Sequence, residues 1–153
     1  DGHDEEIYPV DGNLISDDEM NTILVRGLAD GAKLRAVFDC CFSGSALDLP
    51  CRYNESGLVE YENNDVSSKD IVMISGCRDD QTSADAWIDK RSSGALTWAV
   101  VTAYQKLSDP NKKWTWKDLI YQIRYRLKSG NYEQIPQLDL SNLDGLNQLM
   151  SFI

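Results

Sequence analysis

The sequence predicts an α/β domain in which a mostly parallel central sheet is flanked by helices on both faces. Two short runs, Leu34-Arg35-Ala36-Val37-Phe38 and Ile71-Val72-Met73-Ile74-Ser75, are apolar enough to be strands of such a sheet. Ala95, Leu96, Ala99, Val100, Ala103, Tyr104 and Leu107 recur at helical spacing. Strands and helices alternate along the chain, which is the pattern of a parallel sheet with crossover helices.

Ile7-Tyr8-Pro9-Val10 reads as a short strand that Pro9, lacking an N–H, pushes toward a sheet edge. Ser16 is a good N-cap for a helix from about Asp17 to Ala29, with acids in the first turn to complement the dipole. Met20, Ile23, Leu24 and Leu28 would share its buried face. Leu34 to Phe38 is a buried strand ending at Cys40-Cys41. Arg52 to Lys69 is polar and reads as a long surface loop, and Gln81 to Ser93 as a second, unusual only for Trp87. Ile71 to Ser75 is the strongest strand of the chain. Asp109-Pro110 ends the helix that begins at Ala95, and a further helix runs from about Thr115 to Lys128, stopped by Gly130. Pro136-Gln137-Leu138 begins one short extended segment, and Leu149 to Ile153 forms another. No internal repeat is present.

At 153 residues the chain fits one domain, 1–153, and its 42% hydrophobic content excludes global disorder. A formal charge of −10 argues against a nucleic-acid partner. The acidity is uneven: Asp1 to Glu19 holds eight carboxylates and no Lys or Arg, whereas Lys112 to Lys128 is basic. Such a cluster repels itself unless it is solvated or offset by a cation. The four cysteines (Cys40, Cys41, Cys51, Cys77) show no C-x-x-C spacing and lie among apolar strands, which suggests a reduced, cytoplasmic setting. No apolar run approaches a membrane span. The chain opens at Asp1 without Met and is read as part of a longer protein.

Asp39-Cys40-Cys41-Phe42-Ser43-Gly44 is the candidate nucleophile segment. Ligands of open α/β sheets bind beyond the carboxyl ends of the strands, and Cys41 lies there. A cysteine reacts as thiolate, with a histidine as base or ion-pair partner, and its own backbone N–H can donate to a developing oxyanion. The alternative is that Cys40 and Cys41 are small buried apolar residues, as most reduced cysteines are. Local pattern leaves both readings open. Likewise Asp17-Asp18 could simply complement a helix dipole, and Glu5 and Glu6 read as solvated.

The segment Phe38 to Pro50 resembles the nucleophile region of metacaspases, the caspase-like cysteine peptidases of plants, fungi and protists. Tyr8-Pro9-Val10-Asp11, Asp17-Asp18-Glu19-Met20, Ile74-Ser75-Gly76-Cys77, Asp80 to Asp85 and Gln134 to Leu138 are similar too, in the same order. The resemblance implies a caspase-like fold with a large-subunit-like part, 1–85, and a small-subunit-like part, 94–153. It implies a calcium-dependent endopeptidase cleaving protein or peptide substrates after Arg or Lys, active as a monomer in the cytoplasm, with a place in programmed cell death. Cys41 corresponds to the nucleophile and Asp39 to the acidic residue that receives the P1 cation. A carboxylate suits guanidinium or ammonium. The alternative for Asp39 is a strand-end residue bonding nearby backbone N–H groups.

Calcium takes about six to eight oxygen ligands, and no EF-hand loop is present, so a site must be assembled from separate segments. The resemblance implies Asp4, Asp17, Asp18 and Asp48 as its ligands. It places the catalytic histidine in a His-Tyr-Ser-Gly-His-Gly motif upstream of Asp1, so that an upstream fragment of the same protein completes the dyad. His3 is read as a surface residue. Phe42 departs from the family, which generally has His after the nucleophile, and self-cleavage would fall at Lys90, Arg91 or Lys69. A silent metacaspase-like domain, acting as a calcium-responsive interaction or chaperone-like module, is the competing reading.

Overall fold

A computed structural model describes residues 5–40, 45–60, 68–76, 94–107, 109 and 111–150. Its centre is a five-stranded sheet of order β3-β6-β7-β4-β5, formed by β3 (Lys33–Phe38), β4 (Cys51–Asn54), β5 (Gly57–Glu60), β6 (Asp70–Ser75) and β7 (Gln137–Leu140). β3 and β6 pair in parallel from Lys33↔Asp70 to Phe38↔Ser75, and Asp70 anchors the start of that register by accepting from Arg35 at 2.7 Å. The remaining described pairs, β6–β7, β7–β4 and β4–β5, are antiparallel. The expected α/β layering therefore stands, but the pairing is mixed rather than mostly parallel. β7 runs against both its neighbours, and β4 and β5 are joined by a tight hairpin.

Helices α2 (Ala95–Lys106) and α3 (Trp116–Ser129) cover one face of the sheet. Val72, Ile74, Leu138 and Leu140 point toward Leu96, Ala99, Ile120 and Ile123, all of them buried. Each of the Val, Leu and Ile side chains contributes about 1.5–3 kcal/mol when fully removed from water. The other face packs Ile71 and Met73 against Met20, Val25, Leu47 and Leu49. Arg124 of α3 reaches back to the carbonyls of Pro136 (2.9 Å), Tyr53 (2.8 Å) and Asn54 (3.3 Å), and its guanidinium lies 5.3 Å from the centre of the Tyr53 ring. One planar fork thus ties α3 to the carbonyls of two separate segments, β4 and the approach to β7.

Three expectations are corrected. The strand expected at Ile7 to Val10 is β1 (Glu6–Ile7), which pairs with β2 (Ile15–Ser16) in a separate antiparallel ribbon and does not edge the central sheet. The chain turns back at Pro9 to Gly12, where Gly12 donates to the Pro9 carbonyl at φ +79°. The helix expected to Ala29 is α1 (Asp17–Met20) continued by a π-helical segment, Asn21–Arg26. The wider turn moves the buried face from Ile23 and Leu24, which are exposed, to Asn21 and Val25. Ser16 does cap α1, accepting from the Glu19 N–H.

The polar stretch from Arg52 to Lys69 contains β4 and β5, not only loop. Asn54 accepts from the Ser56 N–H at 2.8 Å and Gly57 takes φ +123°, the chemistry of a tight hairpin turn. The loop expected at Gln81 to Ser93, with Trp87, lies outside the described residues. None of the described helices is long and apolar enough to cross a membrane.

The start of α3 is closed by a reciprocal capping box. Thr115 Oγ1 accepts from the Asp118 N–H at 3.2 Å, and the Asp118 carboxylate accepts from the Thr115 N–H at 2.8 Å. Thr115→Ala is expected to cost about 1 kcal/mol of stability. Urea unfolding should show a lower midpoint at unchanged slope; an unshifted midpoint would contradict the cap.

Candidate active site

The parallel pair β3–β6 carries the site because both strands end at the same level. The Gly76 N–H donates to the Phe38 carbonyl at 3.0 Å, extending the pairing one step past β6. Asp39 is the next residue of β3's course, half-buried, followed by an exposed Cys40. Cys41, Phe42, His3, Asp4, Lys90 and Arg91 lie outside the described residues.

Asp39 turns toward the face covered by α2. Its Oδ2 accepts from the Thr97 N–H at 2.9 Å and from Thr97 Oγ1 at 2.7 Å. The N-cap of α2 is Gly94, at φ +89°, which has no side chain to satisfy the first-turn N–H groups. Asp39 supplies that acceptor from a strand 58 residues earlier in the chain. The backbone N–H expected as a local partner thus belongs to a distant helix. Among the described residues, Oδ1 receives no hydrogen bond.

Asp17, Asp18 and Asp48 come together: one carboxylate oxygen from each lies within 4.8 Å of the others. Asp17 is buried, Asp48 half-buried and Asp18 exposed. The cluster joins three segments. Asp17 donates its N–H to the Glu5 carbonyl at 2.9 Å, and its carboxylate accepts from the Glu5 N–H (3.3 Å) and the Asp18 N–H (2.7 Å). Asp48 enters from the loop after the nucleophile segment in a left-handed conformation, φ +46°, with its N–H on the Ser45 carbonyl at 2.7 Å. Buried Asn21 steadies the same loop by donating to the Leu47 carbonyl at 2.8 Å.

Burial pushes the Asp48 carboxyl above its ordinary value, and the neighbouring Asp17 and Asp18 push it further the same way. Three convergent carboxylates, one of them held back from ionisation by burial and by its two acidic neighbours, form a hard-oxygen donor set of the kind that suits a divalent cation such as calcium.

Sequence reasoning missed Glu5. It is not merely solvated: its Oε2 accepts from Ser45 Oγ at 2.8 Å, tying the acidic N-terminal segment to the loop that bears Asp48. Nothing local signals a contact between positions 40 apart. Lys69 is likewise engaged, its Nζ donating to the carbonyls of Leu28 (2.6 Å) and Arg26 (3.2 Å) at the end of the π-helical segment.

Comparison with known proteins agrees with this layout. The family model described as "Caspase domain" matches residues 1–147. The chain is 35% identical to Metacaspase-1B of Neurospora crassa, covering 93% of this chain and 44% of that protein. It is 36% identical to Metacaspase-1 of Coccidioides immitis (93% and 40%) and 33% identical to Metacaspase-1 of Meyerozyma guilliermondii (95% and 47%). The chain thus spans less than half the length of these relatives. With a mixed five-stranded sheet between helices and a family match over nearly all its residues, the chain belongs to the caspase-domain family as a metacaspase-like member.

Proposed function

We propose that the full-length protein is a cysteine endopeptidase that requires calcium and cleaves after Arg or Lys. The observation that carries the reading is Asp39, a carboxylate fixed at the end of β3, two positions before Cys41, with one oxygen tied to α2 and the other taking no hydrogen bond from the described residues. In this reading the Cys41 thiolate attacks the scissile carbonyl, and its backbone N–H donates to the oxyanion. A histidine, which we assign to an upstream part of the protein rather than to His3, protonates the leaving amine and then activates water to release the acyl group. Asp39 pairs with the P1 guanidinium or ammonium.

Asp17, Asp18 and Asp48 would hold calcium, joined by Asp4. Bound calcium would offset the mutual repulsion of these carboxylates. Asp48 is seven residues past Cys41 and shares its loop with Ser45, so ordering that loop orders the chain next to the nucleophile.

The test uses the full-length protein with Arg- and Lys-terminated fluorogenic peptides, with and without millimolar calcium, beside Cys41→Ala. Calcium-stimulated turnover that the substitution abolishes is expected. Turnover indifferent to the substitution, or none at all, overturns the peptidase reading. Calcium binding without turnover would favour the calcium-responsive interaction module, which the same acidic cluster supports.

A further inference from the structure

We propose that Thr97 is the positioning residue of the P1 pocket, orienting Asp39 so that Oδ1 faces a cationic substrate side chain. The inference rests on the reading of Asp39 as the P1 acceptor. Both Thr97 donors, N–H and Oγ1, converge on the same oxygen, Oδ2. Two donors on one oxygen fix the carboxylate's torsion, whereas one bond would leave it free to swing. The fixed group then meets a guanidinium without first losing its own rotamer freedom, which is how preorganisation raises affinity.

Thr97 also sits in the first turn of α2, behind Gly94, where the aligned peptide dipoles favour negative charge. Its hydroxyl serves the carboxylate instead of its own helix. Thr102, by contrast, spends its hydroxyl on the Trp98 carbonyl one turn earlier, at 2.8 Å. The Asp39–Thr97 contact lies at the surface, where a substrate side chain can approach it.

The test measures kcat and KM of the full-length protein on matched peptides ending in Arg or in citrulline, its neutral isostere. Thr97→Val keeps the N–H and the side-chain shape but removes the hydroxyl. It is expected to raise KM for the Arg peptide about tenfold, leaving kcat within about twofold and the citrulline peptide unaffected. Thr97→Ser should restore the Arg preference. A lost helix cap alone would lower the unfolding midpoint and affect both peptides equally. Asp39→Asn separates the two claims. If it leaves Arg-over-citrulline preference intact, the P1 assignment fails, and the role of Thr97 with it. If Asp39→Asn abolishes the preference while Thr97→Val does not reduce it, the role of Thr97 alone is overturned.

Discussion

Asp139→Asn is expected to destabilise the protein by about 3–5 kcal/mol, a large share of the roughly 5–15 kcal/mol that holds a domain folded. Asp139 is 1% exposed on β7 and accepts from Arg52 Nε at 2.6 Å across the β7–β4 register. The Arg52 side chain is itself only 13% exposed. Asn matches Asp in shape, so no cavity opens; what is lost is the negative charge that faces the largely buried Arg52 guanidinium at 2.6 Å. The Arg52 charge cannot be shed, because arginine stays protonated. Urea unfolding of the single variant and of Arg52→Met/Asp139→Leu should diverge, the double variant recovering most of the loss. A single-variant cost below about 1 kcal/mol would show that the pair contributes little.

Asp48→Asn is expected to act in opposite directions with and without calcium. The folded-state pKa of Asp48 is raised above its ordinary value of 3.8, first by burial and then by Asp17 and Asp18. Between the unfolded and the folded pKa the folded state binds more protons, so stability falls as pH rises through that window. Above it, ionised Asp48 is a continuing cost in the ion-free protein. Asn removes that charge, and its side chain tolerates the left-handed backbone at φ +46° as Asp does. In chelator at neutral pH the variant should melt a few degrees above wild type, and the difference should vanish as pH falls below the ordinary carboxylate range. With calcium the order should invert. An ion at about a hundred times its Kd stabilises by about 2.7 kcal/mol, and the variant should lose that gain. Equal calcium shifts in the two proteins would remove Asp48 from the site.

The legible parts of the fold were those in which local pattern and tertiary demand agree. β6 could be read from Ile71 to Ile74 because a strand covered on both faces must be apolar at successive positions. The two long helices could be read from their stripes and from Thr115, whose cap is complete within four residues. β4 and β5 were not legible, because each has four residues and neither presents a clean alternation. The π-helical turn was hidden as well: an inserted residue per turn leaves composition unchanged while rotating Val25 inward and Ile23 outward.

For the site, residue type and order were enough to nominate Asp39, Cys41 and the aspartates, through the resemblance of the segments around them. By itself the sequence determined the family, the α/β layering and the candidate chemistry, since these reside in short contiguous patterns. Only the tertiary structure decided that Asp17, Asp18 and Asp48 converge, that Glu5 reaches Ser45, and that Asp39 is held by Thr97. Those contacts join positions from 30 to 58 apart, and hydrogen bonds of that kind depend on where strands and helices come to rest, not on any local preference of the chain.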